Sequence, residues 1–432
     1  MKRVCVIDVA GLSLRLLARE KQLWINHLPF SPRPMRPTLP VLTASVQASM
    51  TTGVEPGVHG VIAGGIYRRQ CREISFYERS NTLLNKKRFW HSRHLPQRPR
   101  TALVFWANPL AGAADVVIGA NTYYSVAGDM AEHPAGEYQR LAEEIGQFDA
   151  RTLWGHKASW RAGQWIVQAA LRIWQRHRPD LQWVYLPGLN YELVRHGMDS
   201  PQALEAMREL DGLAKALAAA VAAEGGQTII VSDGGYVPVS RVSFPNARLR
   251  EAGLLKVRQA GSGRGLEIDF EGSRAFAMAD HQVAYLYCAD DESARAAAPV
   301  LAADPAVGAL LNRDESFACG LGHDRAGELV ALAAGDAWFG YQLDDTSLEE
   351  SSVVSTEAKA GFDPCELLGP DQAANPFAVR ASRGLIPDDG ADQCVIAATC
   401  ELPFEGPIKV TDVPAVLKRV LFGQVDSGVA AR

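Results

Sequence analysis

At 432 residues with 47% apolar content, the chain can bury a large core, suits one elaborated domain or two, and is not a disordered polymer. Its 44 basic and 49 acidic residues leave a net charge of −5 with no polybasic run, which argues against a nucleic-acid polymer or a membrane surface as partner. Charges interrupt every apolar stretch before about 18 residues, Met1-Lys2-Arg3 leads into a run too short for a signal-peptide core, and the seven cysteines are scattered without a CxxC spacing. The expectation is a soluble protein of a reducing cytoplasm.

In chain order, short β-branched or aromatic runs occur at Arg3 to Asp8, Ala102 to Trp106, Gln182 to Leu186, Thr228 to Ser232, Val283 to Cys288 and Glu328 to Ala333, and their alternation with helical patterns predicts an α/β sheet. Apolar spacing of three and four marks helices over Trp160 to His177 and Gln202 to Ala223, which would cover that sheet. A shorter helix over Ser293 to Ala298 is expected to end at Pro299. Proline recurs through Pro29 to Pro40, so this stretch is read as a loop that delivers the chain to Thr43. Leu255 to Val257 and Leu266 to Ile268 flank a Gly-rich turn and predict a hairpin in a small accessory sheet. Residues 340–395 are rich in Ser, Asp, Gly and Pro with little periodicity, so elements there should be short. The resulting division is a core α/β part over residues 1–244, an accessory α+β cap with return to the core over 245–340, and an irregular part completing the core over 341–432.

The segment Leu42 to Gly53 has Thr and Ser at its start and Gly at its end, as a short helix requires. Thr43 then sits near a helix N-terminus, whose free amides and partial positive charge favour an alkoxide and an incoming phosphate. Asp8 and Asp233 each end a predicted strand, where open α/β sheets bind ligands. A divalent ion held by both carboxylates beside Thr43 would lower the hydroxyl pKa and polarise a phosphoryl oxygen.

These pieces resemble the alkaline phosphatase superfamily, most nearly its type I phosphodiesterase/nucleotide pyrophosphatase branch. The resemblance runs through Val6-Ile7-Asp8-Val9-Ala10-Gly11-Leu12, Pro40 to Ala48 with Thr52-Gly53 and His59-Gly60, and Tyr185-Leu186-Pro187 to Asn190-Tyr191. It continues through Val231-Ser232-Asp233, Ala279 to Val283, His323 to Leu329 and Gly361-Phe362-Asp363-Pro364. It implies a doubly wound, mostly parallel sheet, a Thr or Ser nucleophile, two divalent cations, usually zinc, and hydrolysis of a phosphodiester, pyrophosphate or phosphomonoester through a phospho-threonine intermediate. By carry-over Thr43 is the nucleophile and a ligand, Asp8 and Asp233 hold the metal that activates it, and Asn190, His281, His323 and Glu357 are candidates for a second metal.

Departures accompany the matches. Asn190 stands where the resembling proteins usually carry Asp, and an amide is a weak neutral ligand for zinc. Gly234-Gly235 follows Asp233 where a ligand histidine is usual, Glu357 falls where a histidine is common, and no histidine follows His323. His59-Gly60 is read as a structural turn. Asn108, Arg195 and His196 are candidates for contacts to a small phosphorylated substrate, with Trp106, Tyr123 and Tyr124 as apolar surface for its organic part. Two other readings keep the scaffold: a repurposed small-molecule tailoring enzyme with a reduced metal site, and a non-catalytic protein whose pocket only binds a ligand.

Overall fold

A computed structural model describes residues 1–76, 78–120, 130–259, 266–343, 361–362, 364–368, 375–404 and 406–423. At its centre lies the strand Val4–Val9, every residue of which is buried. It pairs in parallel with Leu181–Leu186 on one side and Gln227–Val231 on the other, so that Asp8 lies level with Tyr185 and Val231. Beyond Leu181–Leu186 the parallel run continues through Thr101–Val104 and Val116–Ala120, then closes with antiparallel Met130–His133. On the opposite side Cys394–Ala398 adds antiparallel to Gln227–Val231, followed by Phe30–Arg36 and Ile408–Lys409, giving nine strands.

Side chains alternate across this sheet, as the period of two demands. Cys5, Ile7 and Val9 face a core built with the helices Arg161–His177 and Pro201–Ala223, through Trp165, Trp174, Leu210 and Leu217. Val4, Val6 and Ala10 belong to the core of the other face, with Val46 and Met50 of the helix Thr43–Thr52 and Val416 and Leu417 of the helix Val413–Phe422. Asp8 has the parity of Val6 and Ala10, so its carboxylate falls on the face of the Thr43 helix.

The strands predicted over Val283 to Cys288 and Glu328 to Ala333 lie in a second sheet. That sheet is antiparallel, ordered Ala275–Asp280, Val283–Cys288, Leu329–Ala333, Val307–Leu311. Alternation marks a strand but not the sheet it joins, and hairpin neighbours pair with each other first. The expected hairpin is present as Val257–Gln259 against Leu266–Ile268. Tyr285 of the second sheet donates to Ile62 O at 2.6 Å, tying this unit to the chain that follows the Thr43 helix.

Two local expectations change. The proline-rich stretch expected as a loop contains the strand Phe30–Arg36, covered on its outer side only at Met35 and Arg36. An edge tolerates prolines because most of the missing donors would have faced no partner. The helix expected to stop at Pro299 spans Asp291–Ala302 with Pro299 inside, since a proline near the last turn removes only one internal bond.

Candidate active site

The helix Thr43–Thr52 starts at Thr43, and its preceding residue Leu42 offers no side-chain cap. The first-turn amides are therefore not met by a capping oxygen, and the half-buried Thr43 lines a pocket at that end. Thr43 Oγ1 donates to Asp233 Oδ2 at 2.5 Å. Arg383 Nη2 donates to Thr43 Oγ1 at 2.5 Å, and Arg383 Nη1 donates to Asp233 Oδ2 at 2.8 Å. Asp233 Oδ1 accepts from Gly11 N at 3.1 Å. A closed triangle of hydroxyl, carboxylate and guanidinium thus surrounds the Thr43 oxygen.

Asp8 stands behind this triangle. Its Oδ2 accepts from Gln47 Nε2 at 2.8 Å, while Oδ1 has no hydrogen-bond partner among the described residues. Burial, reinforced by the neighbouring Asp233 carboxylate, holds the Asp8 carboxyl well above the usual range. Gln47, one helical turn after Thr43, accepts with Oε1 from Ala107 N at 2.9 Å and so links Asp8 to the pocket wall. Burial opposes the charge on Arg383, but Tyr236, Asp233 and Tyr185 outweigh it and raise its pKa. The guanidinium carbon lies 5.1 Å from the centre of the Tyr236 ring. Tyr236, whose phenol burial pushes up to about 12, meets the side chain of Asn190.

The remaining expected residues divide by placement. Asn190 and His281 line the same pocket as Thr43. Asn190 Oδ1 accepts from Gly188 N at 2.9 Å. His281, at φ +59°, bonds through Nδ1 to Asp280 Oδ1 at 2.7 Å and stacks on Phe362 with ring centres 3.9 Å apart. Asp280 Oδ2 in turn accepts from Gly64 N at 2.7 Å. Burial lowers the His281 pKa against the pull of Asp280. Asn108 and Trp106 also line the pocket; Asn108 donates to Glu78 O at 2.6 Å and keeps a buried Oδ1 without a partner among the described residues.

Three expected residues are engaged elsewhere. His323 bonds Asn85 at 2.8 Å through Nε2 and accepts from Arg325 N through Nδ1, outside the pocket lining. Arg195 donates to Leu367 O, Ala158 O and Gly155 O, which anchors loops rather than facing the pocket. His196 pairs with Glu192 at 3.5 Å on the helix Leu189–His196 and is exposed. Glu357, Tyr123 and Tyr124 lie outside the described residues.

The donor set does not fit a divalent ion beside Thr43. Both Thr43 Oγ1 and Asp233 Oδ2 are already bonded to the Arg383 cation. A side chain cannot enter at the next two positions, because a Cβ on Gly234 would meet Val41 Cγ1 at 2.1 Å and one on Gly235 would meet Asp392 O at 1.3 Å. Among the described residues no three His, Cys, Asp or Glu side chains group as a metal site.

Arg383, Gln47, Tyr236 and Asp280 were not among the residues expected from sequence. Gln47 was within reach of that reading, being four residues after Thr43 on one helical face. Arg383 lies in a segment without periodicity, and nothing local distinguishes it.

A profile of the type I phosphodiesterase/nucleotide pyrophosphatase family matches residues 4–363. The chain belongs to this family. Its members include phosphoester-cleaving enzymes, and this chain is placed among phosphoryl-transfer hydrolases of that kind. Comparison with curated sequences yields no match. Among solved structures, phosphonoacetate hydrolase from Sinorhizobium meliloti 1021 with bound phosphonoformate is 14% identical, with TM-score 0.65 over 97% of this chain and 96% of that one. Murine ectonucleotide pyrophosphatase/phosphodiesterase 5 is 12% identical, with TM-score 0.62 over 98% and 95%. An inactive threonine-to-alanine variant of the murine protein, in complex with AMP, gives TM-score 0.63 at 11% identity over the same shares. The alkaline phosphatase-like fold of this family member is thereby shown.

Proposed function

We propose that the protein hydrolyses a small phosphodiester, pyrophosphate or phosphomonoester through a phospho-threonine intermediate at Thr43. The observation that carries this reading is the position of the Thr43 hydroxyl, bonded to both Asp233 and Arg383 at a helix N-terminus inside a pocket. Family membership supports the reaction class, and the inactive threonine-to-alanine variant of the murine neighbour is in keeping with threonine chemistry on this fold.

In the first step Thr43 Oγ attacks phosphorus while the bond from phosphorus to the leaving oxygen breaks. The Thr43 proton passes to Asp233 Oδ2, its existing acceptor, and the leaving oxygen takes a proton from solvent. In the second step water attacks phosphorus and the Oγ–P bond breaks. Thr43 recovers its proton from Asp233, and a water proton passes to His281 Nε2 and on to solvent. The Asp280 contact at Nδ1 orients the His281 ring for that role. First-turn amides of the Thr43 helix hold phosphoryl oxygens, and Ile62, Phe76, Trp106 and Trp154 supply apolar surface for the organic part of the substrate.

We place this chemistry in a reducing cytoplasm, since the seven cysteines are odd in number and scattered without a CxxC spacing. No helix among the described residues is long and apolar enough to cross a membrane.

The test is turnover of p-nitrophenyl phosphate and bis-p-nitrophenyl phosphate, with acid-quench mass spectrometry of the enzyme. The expected result is turnover that Thr43→Ala lowers by roughly 10³-fold or more and a phosphate adduct on the Thr43 peptide. Turnover equal in wild type and Thr43→Ala sinks the reading.

A further inference from the structure

We infer that Arg383 is the resident cation of this centre, so that Thr43 is activated and its phosphoryl group transferred without a divalent metal. This rests on the reading of Thr43 as nucleophile.

The guanidinium takes up two of the ligand atoms that an ion would need, with one nitrogen on Thr43 Oγ1 and another on Asp233 Oδ2, and leaves Asp8 Oδ1 without a partner among the described residues. Asn190 contributes only a neutral amide oxygen, one lone pair of which accepts from Gly188 N, and packing at Gly234 and Gly235 leaves no space there for a side chain that could add a donor. One arginine offers a charge that no accessible pH removes and a planar set of donors.

Arg383 is also held in place. Only 6% of it is exposed, its carbonyl accepts from Gln282 N at 2.9 Å, and the next carbonyl, Gly384 O, accepts from Val41 N at 2.8 Å, immediately before the Thr43 helix. A donor fixed in advance stabilises developing charge without reorganisation during the reaction. Its Nε–H has no acceptor among the described residues although the residue lines the pocket. Nη2 stabilises the Thr43 oxygen as the Oγ–P bond forms, the leaving oxygen departs and the Thr43 proton moves to Asp233. No oxidant or reductant enters.

The experiment uses the full chain dialysed against EDTA. It reads binding of orthovanadate, a mimic of the transferring phosphoryl group, by calorimetry, and turnover of bis-p-nitrophenyl phosphate, each with and without added Zn²⁺, Mn²⁺ or Mg²⁺. Wild type is expected to bind vanadate and turn over substrate equally in EDTA and in metal. Arg383→Gln is expected to lower both by at least about 10²-fold, with Arg383→Lys intermediate and millimolar guanidinium restoring about 10-fold to Arg383→Gln. Circular dichroism checks that the variants are folded; if Arg383→Gln is not, the comparison of chelated and metal-loaded wild type decides alone. Vanadate binding and Thr43-dependent turnover that appear only with added metal overturn this inference and leave the phospho-threonine reading intact. Turnover independent of Thr43 overturns that reading instead, and absence of vanadate binding under every condition overturns both.

Discussion

Arg383 Nη2 lies 2.5 Å from Thr43 Oγ1 although 340 positions separate the two residues. Their meeting is built by backbone pairing: Ala381–Ser382 pairs antiparallel with Val237–Pro238, just after Asp233, and Gly384 O bonds Val41 N, just before the Thr43 helix. The arginine is thus carried to the two residues whose side chains it joins. With Asp8 and Gln47 behind them, five residues from four chain segments define the charge around one hydroxyl.

Among the described residues Gln47 is the only side chain that satisfies an Asp8 oxygen, and it also holds Ala107 N. Gln47→Leu is expected to lose about 1–3 kcal/mol of stability, because two buried groups lose their partner. It should also lower kcat about 10-fold through displacement of the pocket wall. Denaturant unfolding and steady-state kinetics measure the two effects, and a variant as stable as wild type contradicts the first.

His281 is expected to act on the water step. His281→Asn should lower kcat about 10²-fold with little change in KM, and the phosphate adduct on Thr43 should accumulate because its breakdown is slowed. A lower kcat with no accumulated adduct assigns His281 to the first step or to packing against Phe362.

His59 supplies a pH dependence remote from the reaction. Its Nε2 bonds Ser49 Oγ at 2.9 Å and its Nδ1 accepts from Val61 N at 3.1 Å, so the neutral ring is built into the fold. Burial, aided by the Arg88 charge, pushes its pKa down to about 3 from 6.5. A depressed folded-state pKa means that this stability is fully present above pH 6.5 and is lost as pH falls from there toward 3. Acidification from about pH 7.5 to about pH 5 should cost about 2 kcal/mol through this residue. Urea unfolding at both pH values should show that loss in wild type and a flatter profile in His59→Gln, which cannot take up the proton.

Arg195, a substrate-contact candidate from sequence, donates to four backbone carbonyls. Arg195→Met is expected to destabilise by about 3 kcal/mol, since buried acceptors lose a charged donor, and to leave KM within about twofold because the side chain is not in the pocket lining. A rise in KM without loss of stability would return Arg195 to substrate binding.

Much of the frame was legible from residue order. Alternation and apolar spacing marked Val4–Val9, Leu181–Leu186, Gln227–Val231 and the helices Arg161–His177 and Pro201–Ala223, because burial on two faces of a sheet imposes its period on local sequence. The same logic marked the start of the helix at Thr43 and the strand-end positions of Asp8 and Asp233, which the fold brings to one site. The family resemblance also named Asn190 and His281, which line that pocket.

Tertiary structure decided which lone pairs remained available. A carboxylate, amide or imidazole has the same donor and acceptor inventory wherever it stands, but its use depends on what folding sets beside it. His323 is engaged by Asn85, Arg195 by backbone carbonyls and Asp233 by a guanidinium from a segment without periodic signal. The sequence by itself determined the sheet, its covering helices and the polar residues at the strand ends, since local pattern encodes burial. The cation beside Thr43 was decided by long-range backbone pairing, whose register no short stretch of this chain contains.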